Sequence, residues 1–121
     1  MSYYDEHRPT KTVDVLGVTY GIYMGVMPEE DKLLDDCDGY HDKTVKRIVV
    51  IGKVDEANLS DWSHYEKQIL RHELIHAFLH ESGIDGSFKW DNGNEHPEGL
   101  VSWMSIQFPK MLKAFQEVGA L

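Results

Sequence analysis

Positive charge and cysteine are what this chain has little of, and each shortage excludes something. Twelve Lys and Arg stand against twenty-one Asp and Glu in 121 residues, a formal charge of −9 with a pI near 5.1. Phosphate recognition depends on clustered cations, so nucleic acid and anionic membrane are disfavoured as main partners. The short basic group Lys43, Lys46 and Arg47 reads as the solvent side of a strand. The one cysteine, Cys37, has no internal disulfide partner, which suits a reducing cytosol. Beside Asp38-Gly39 it reads as a small buried residue before a turn rather than a reactive thiol. No apolar run approaches a membrane span, and the polar start Met1-Ser2-Tyr3-Tyr4-Asp5-Glu6-His7 lacks the apolar core of a signal peptide, so the expectation is a cytoplasmic protein. Repeats and low-complexity segments are absent too. The length fits one domain over 1–121, with a loose tail over 1–10 and little left for a second module.

What is present begins with alternation. Val13 and Val15, then Val18, Tyr20 and Ile22, predict two short strands joined at Leu16-Gly17, a hairpin. Pro28 to Leu34 predicts one helical turn, and Asp36 to Gly39 a turn into a strand over 40–51, interrupted at His41-Asp42. From Trp62 to Glu81 there is no Gly or Pro; Leu59-Ser60-Asp61 offers cap residues, and Gly83 a left-handed stop, so a long helix is expected. Its apolar residues Ile69, Leu70, Leu74, Ile75, Ala77, Phe78 and Leu79 fall on most sides, which predicts a helix buried in the core. Residues 84–96 read as a long loop bordering a cleft. Pro97 suits a first turn, and Glu98 to Phe108 reads as a second helix with Leu100, Val101, Met104 and Phe108 inward. Pro109 predicts a kink or a break before a final segment at Lys110 to Val118. The three tryptophans Trp62, Trp90 and Trp103 read as core or partial-core residues. The architecture expected is α+β: a small antiparallel sheet packed on two main helices.

The long helix carries Arg71-His72-Glu73-Leu74-Ile75-His76, an H-E-x-x-H sequence. Residues i and i+4 share a helix face one turn apart, so two imidazoles converge on one metal ion while the glutamate stands beside the water that the metal activates. With seven histidines and ten glutamates in 121 positions, chance yields this pattern in roughly three chains of a hundred, and on a helix in fewer. Polar groups inside an apolar helix need a reason, and hydrogen-bonded core residues are the bland alternative. The pattern reads as the core of a zinc hydrolase, with Glu73 as acid/base and zinc lowering the pKa of a water toward ~7.

Catalytic zinc generally takes three protein ligands. His80 continues the series but stands about 12 Å along the axis from His72, too far to share the ion, and reads as a pocket-wall or capping residue. The metzincin arrangement needs a histidine at the position of Ser82 and is excluded. Glu95 and His96 lie in the loop. Glu98, on a second helix packed against the first, is the best placed; as a first-turn acid it would also complement the helix dipole. Tyr40, His80 and His96 are candidates for a second oxyanion donor, and nothing in the spacing selects among them.

The chain resembles the small phage- and prophage-associated proteins described as minimal gluzincin-like metallopeptidases. The similar stretches are Cys37-Asp38-Gly39-Tyr40 with the Thr44 to Val50 strand, Leu70 to Leu79 through Glu81-Ser82-Gly83, and Glu98 with Val101-Ser102-Trp103 running into Ile106-Gln107-Phe108-Pro109-Lys110. They cover most of the chain beyond residue 35. The resemblance implies a minimal zincin-like fold, one zinc ion per chain held by His72, His76 and Glu98, Glu73 as the catalytic residue, and peptide or protein as substrate. In the family pattern an aspartate commonly stands four residues after the ligand glutamate, where it orients a histidine; here that residue is Ser102, which carries no charge. Its weaker support suits a different class, a phage accessory protein that keeps the fold and binds a host or virion protein without cleaving it. A protease acting on a repressor ranks below both, since no DNA-binding segment accompanies it. The oligomeric state is left open by the sequence.

Overall fold

The computed structural model describes residues 2–53, 61–84 and 96–119. In chain order they form α1 (Tyr3–Glu6), β1 (Lys11–Val15), β2 (Val18–Val26), a 3-10 turn (Lys32–Asp35), β3 (Gly39–Asp42), β4 (Arg47–Ile51), α2 (Trp62–Glu81) and α3 (Glu98–Glu117). The fold is α+β, as the alternation and the two helical patterns lead one to expect.

The expected hairpin is β1 with β2. Leu16 (φ 52°) and Gly17 (φ 91°) both sit in the left-handed region, the geometry of a two-residue turn whose twist matches the strands, and the Asp14 carboxylate accepts the Gly17 N–H at 3.2 Å. The expected 40–51 strand is instead a second hairpin, β3 with β4, turned where Asp42 accepts the Thr44 N–H at 2.9 Å and Lys46 adopts φ 56°. The sheet is mixed rather than antiparallel: its order is β1-β2-β4-β3, with β4 parallel to β2. Alternation reveals strands but not which edge of a hairpin finds the next strand, and here β4 rather than β3 lies beside β2. Central β4 therefore has Ile48, Val49, Val50 and Ile51 all buried, the continuous apolar run of a strand covered on both faces.

Register assigns the faces. Tyr23, Val49 and Tyr40 stand abreast on one face; Ile22, Ile48 and His41 stand abreast on the other, with Val50 opposite Gly39. On the first face lies α1, which corrects the expected loose tail: Tyr4 stacks edge-on against Tyr23, lies 3.9 Å under the Arg47 guanidinium, and donates to Asp31 at 2.5 Å. Tyr40 donates to the same Asp31 oxygen. Arg47 is thus an aromatic partner and Lys46 an ion pair of Glu81 at 2.8 Å, not solvent-side cations. The helical turn predicted at Pro28 to Leu34 is the 3-10 turn a few residues on, capped where Asp31 accepts the Leu33 N–H.

Against the second face packs α2. Asp61 caps it by accepting the His64 N–H at 3.0 Å, and Gly83 (φ 82°) ends it, as predicted; Leu59, Ser60, Glu95, Trp90 and most of the expected 84–96 loop lie outside the described residues. Only Ile69, Glu73 and Ala77 are buried, an i, i+4 stripe, so the helix is covered on one side rather than enclosed. Gly39 permits the approach: a Cβ there would lie 2.6 Å from Ile69 Cγ2 and 2.9 Å from the Val49 carbonyl oxygen. Trp62 and Cys37 pack at the margin of the core, and the Cys37 thiol donates to the Leu33 carbonyl at 3.2 Å.

Candidate metal centre

Helix α3 reaches the site by packing on α2. Val101 and Ser105 are its buried pair, whereas Leu100 and Phe108, expected inward, are exposed, as is Trp103 at 54%. The main described neighbour of the helix is α2, and the i, i+4 spacing of Val101 and Ser105 sets the face that meets it. Pro109 does not break it, since one helix runs from Glu98 to Glu117. Proline lacks the N–H that would bond the Ser105 carbonyl one turn back. Arg71 Nε donates to that carbonyl at 2.7 Å instead, so the missing bond becomes a link between the helices.

This link stands one residue before His72. His72 and His76, one turn apart on α2, have ring centres 5.1 Å apart. Glu98, the first residue of α3, brings Oε2 to 3.0 Å from His72 Nε2 and Oε1 to 3.0 Å from His76 Nε2. One ligand atom from each of the three lies within 4.8 Å of the others, the one such group of three among the described residues. Neighbouring donors of a tetrahedral zinc with bonds near 2.0–2.2 Å stand about 3.3 Å apart, so the 3.0 Å contacts to the two Glu98 oxygens would open slightly and the wider separations, up to 4.8 Å, would close around an ion.

Each imidazole has a second contact. His76 Nδ1 is 2.9 Å from His96 Nδ1, and His96 is buried; His72 Nδ1 is 3.5 Å from Ser102 Oγ, at the limit of a hydrogen bond. Ser102 therefore supports His72 weakly, while His96, one of the loop candidates, stands behind His76. Burial lowers the His76 pKa; among the nearby charges, Glu98 opposes this and His72 and His96 add to it. Glu73 is 8% exposed, and burial, then the Glu98 carboxylate, push it up to about 8. A cation between them would reverse the second cause. Its Oε2 is 3.9 Å from His72 Nε2.

An open cavity of about 600 Å³ joins these groups to the sheet edge, with Gly39 and His41 of β3, Tyr65 and Gln68 of α2 in its wall. Glu98 remains 69% exposed at its mouth. Tyr40 gives its hydroxyl proton to Asp31 and is thereby removed as an oxyanion donor. His80 lies at the C-terminal end of α2, its ring 6.0 Å from that of His41. Sequence reasoning missed His41 as part of the site; nothing in its local pattern marks it, because its partners are Tyr20 and, through Tyr20, Glu81.

No protein-family model, curated protein or solved structure matches this chain.

Proposed function

We propose that this chain is a zinc-dependent peptidase. The observation that carries the reading is the closure of two α2 histidines and the first residue of α3 around one point, with a buried carboxylate beside it. When bound, zinc supplies a Lewis acid that polarises a carbonyl and acidifies water. His72, His76 and Glu98 would hold it. Burial and then the Glu98 carboxylate hold the Glu73 proton; a cation at the site would favour its ionised form, which would then take the proton of the attacking water and hand it to the departing amine. The open cavity beside Gly39 and His41 offers room for an extended chain. Peptide is favoured as substrate by the motif and by the family resemblance, and the acidic surface argues against polyanions.

The weak contact of Ser102 favours a second reading, in which the fold binds a protein partner and does not cleave it. One experiment separates them. Elemental analysis should find about one zinc per chain in the natural protein, retained in Glu73→Gln and His80→Ala and lost in Glu98→Ala. Cleavage of casein should require zinc and vanish in Glu73→Gln. Zinc bound with no cleavage by the natural protein would favour the binding module, and no zinc after resupply would end the hydrolase reading.

A further inference from the structure

Through His41, the wall of the cavity joins a second set of polar groups that zinc binding does not use. Tyr20 is fully buried in β2, and its hydroxyl lies 2.6 Å from Glu81 Oε2 and 3.0 Å from His41 Nε2. Lys46 Nζ lies 2.8 Å from the same Glu81 oxygen. The bonds from Lys46 and then Tyr20 lower the Glu81 pKa, so Glu81 is a carboxylate and only accepts. Burial, then Glu81, raise the Tyr20 pKa, so its proton stays. That one proton goes to Glu81. The contact with His41 then closes in one way, with the His41 Nε2–H donating to the Tyr20 oxygen.

A neutral imidazole carries one N–H, and here Nε2 holds it, which leaves Nδ1 a bare acceptor. Burial, followed by His76, His80 and His96, holds the ring neutral, with its pKa pushed down to about 4. His41 lines the cavity, and no side-chain nitrogen or oxygen among the described residues is buried without a partner, so Nδ1 is accessible on a residue of the cavity wall.

We infer that His41 Nδ1 accepts a hydrogen bond from a backbone N–H of an extended peptide in the cavity, and that the Tyr20–Glu81–Lys46 chain positions it by fixing its tautomer. The assignment rests on the peptidase reading for the identity of the ligand. It denies His41 the role of proton donor to a developing oxyanion, because its only N–H is already given to Tyr20. A peptide is distinguished from an anionic ligand here by what the wall offers, a lone pair that demands a donor.

The test uses the full chain loaded with zinc and a set of Leu-Ala-Ala hydroxamates in which each amide N–H in turn is replaced by an ester oxygen. In the natural protein one replacement should weaken binding by about three- to tenfold, the effect of one neutral hydrogen bond. In His41→Ala that penalty should disappear. In Tyr20→Phe, which keeps the ring and frees the His41 tautomer, it should shrink, with circular dichroism checking the fold of both variants. Long-range nitrogen–proton correlation spectra should show His41 protonated at Nε2 alone at pH 7 in the natural protein, whether or not it cleaves anything. His41 found protonated at Nδ1, or an ester penalty that persists in His41→Ala, would overturn the inference. Tight binding without any ester penalty, with casein cleaved, would sink it while leaving the peptidase reading intact. No binding of any hydroxamate by zinc-loaded protein would remove both.

Discussion

The bond from Arg71 Nε to the Ser105 carbonyl makes a quantitative prediction, because it replaces the bond that Pro109 cannot make. Arg71→Met keeps the stem of the side chain and removes the donor, leaving a buried carbonyl without its partner. Hydrogen bonds from charged donors are worth about 1.5–3 kcal/mol, so a loss of about 2 kcal/mol is expected. For a chain of this size that is a fall of roughly 8 °C in Tm. Pro109→Ala supplies the helical N–H that Ser105 lacks. In that background the same Arg71→Met change should cost less than about 1 kcal/mol, giving a coupling of about 1 kcal/mol between residues on two helices. Urea unfolding followed by circular dichroism at 25 °C, with chelator present to remove metal linkage, measures all four corners of the cycle. Equal costs of Arg71→Met in the natural chain and in the Pro109→Ala background would show that Arg71 does not stand in for the missing amide. Since the bond adjoins His72 and holds the helix that begins at Glu98, Arg71→Met should also weaken zinc binding.

Four further outcomes are expected. Gly39→Ala places a methyl group against Ile69 and the Val49 carbonyl and should cost about 1–3 kcal/mol, with Ile69→Leu, which lacks the clashing Cγ2, recovering part in the same urea assay. His41 has a folded pKa near 4 against about 6.5 unfolded, so its contribution to stability is complete above pH 6.5 and lost as the pH falls toward 4. After discounting for its partial exposure this amounts to about 1 kcal/mol, seen as a flatter pH dependence of the urea midpoint between pH 4 and 6.5 in His41→Gln. Zinc at a hundred times its Kd should raise the unfolding free energy by about 2.7 kcal/mol, and Glu98→Ala should abolish that increment in a calorimetric titration. Tyr4→Phe removes one of two hydroxyls on the Asp31 oxygen and should cost about 1 kcal/mol by thermal melt.

Local chemistry made part of this legible in advance. Asp61, an unbroken stretch without Gly or Pro, and Gly83 define α2 from neighbours within a turn, and the same 3.6-residue geometry sets His72 beside His76. Glu98 was reachable because Pro97 announces a helix start. What stayed hidden depends on partners distant in the chain. The insertion of β4 between β2 and β3 is a pairing choice that alternation does not encode. The burial of Val101 and Ser105 in place of Leu100 and Phe108 follows from which side α2 approaches, and a serine at the helix contact gives no hydrophobic signal. Tyr4 reads as tail until Asp31, 27 residues on, accepts its proton. His41 and Glu81 meet through a tyrosine 21 residues before the one and 61 before the other.

The shared carboxylate of Asp31 has a dynamic meaning. It joins α1, a helix of four residues, to Tyr40, whose neighbour His41 faces the cavity from the opposite side of the same edge strand. So short a helix holds itself together weakly and opens at a small fraction of the free energy of global unfolding. Each opening withdraws one donor from Asp31 and loosens the anchor of a strand only four residues long. Opening of residues 3–6 is therefore expected to be felt at the cavity wall, and a change in the amide exchange of the first helix when a ligand binds would measure that coupling.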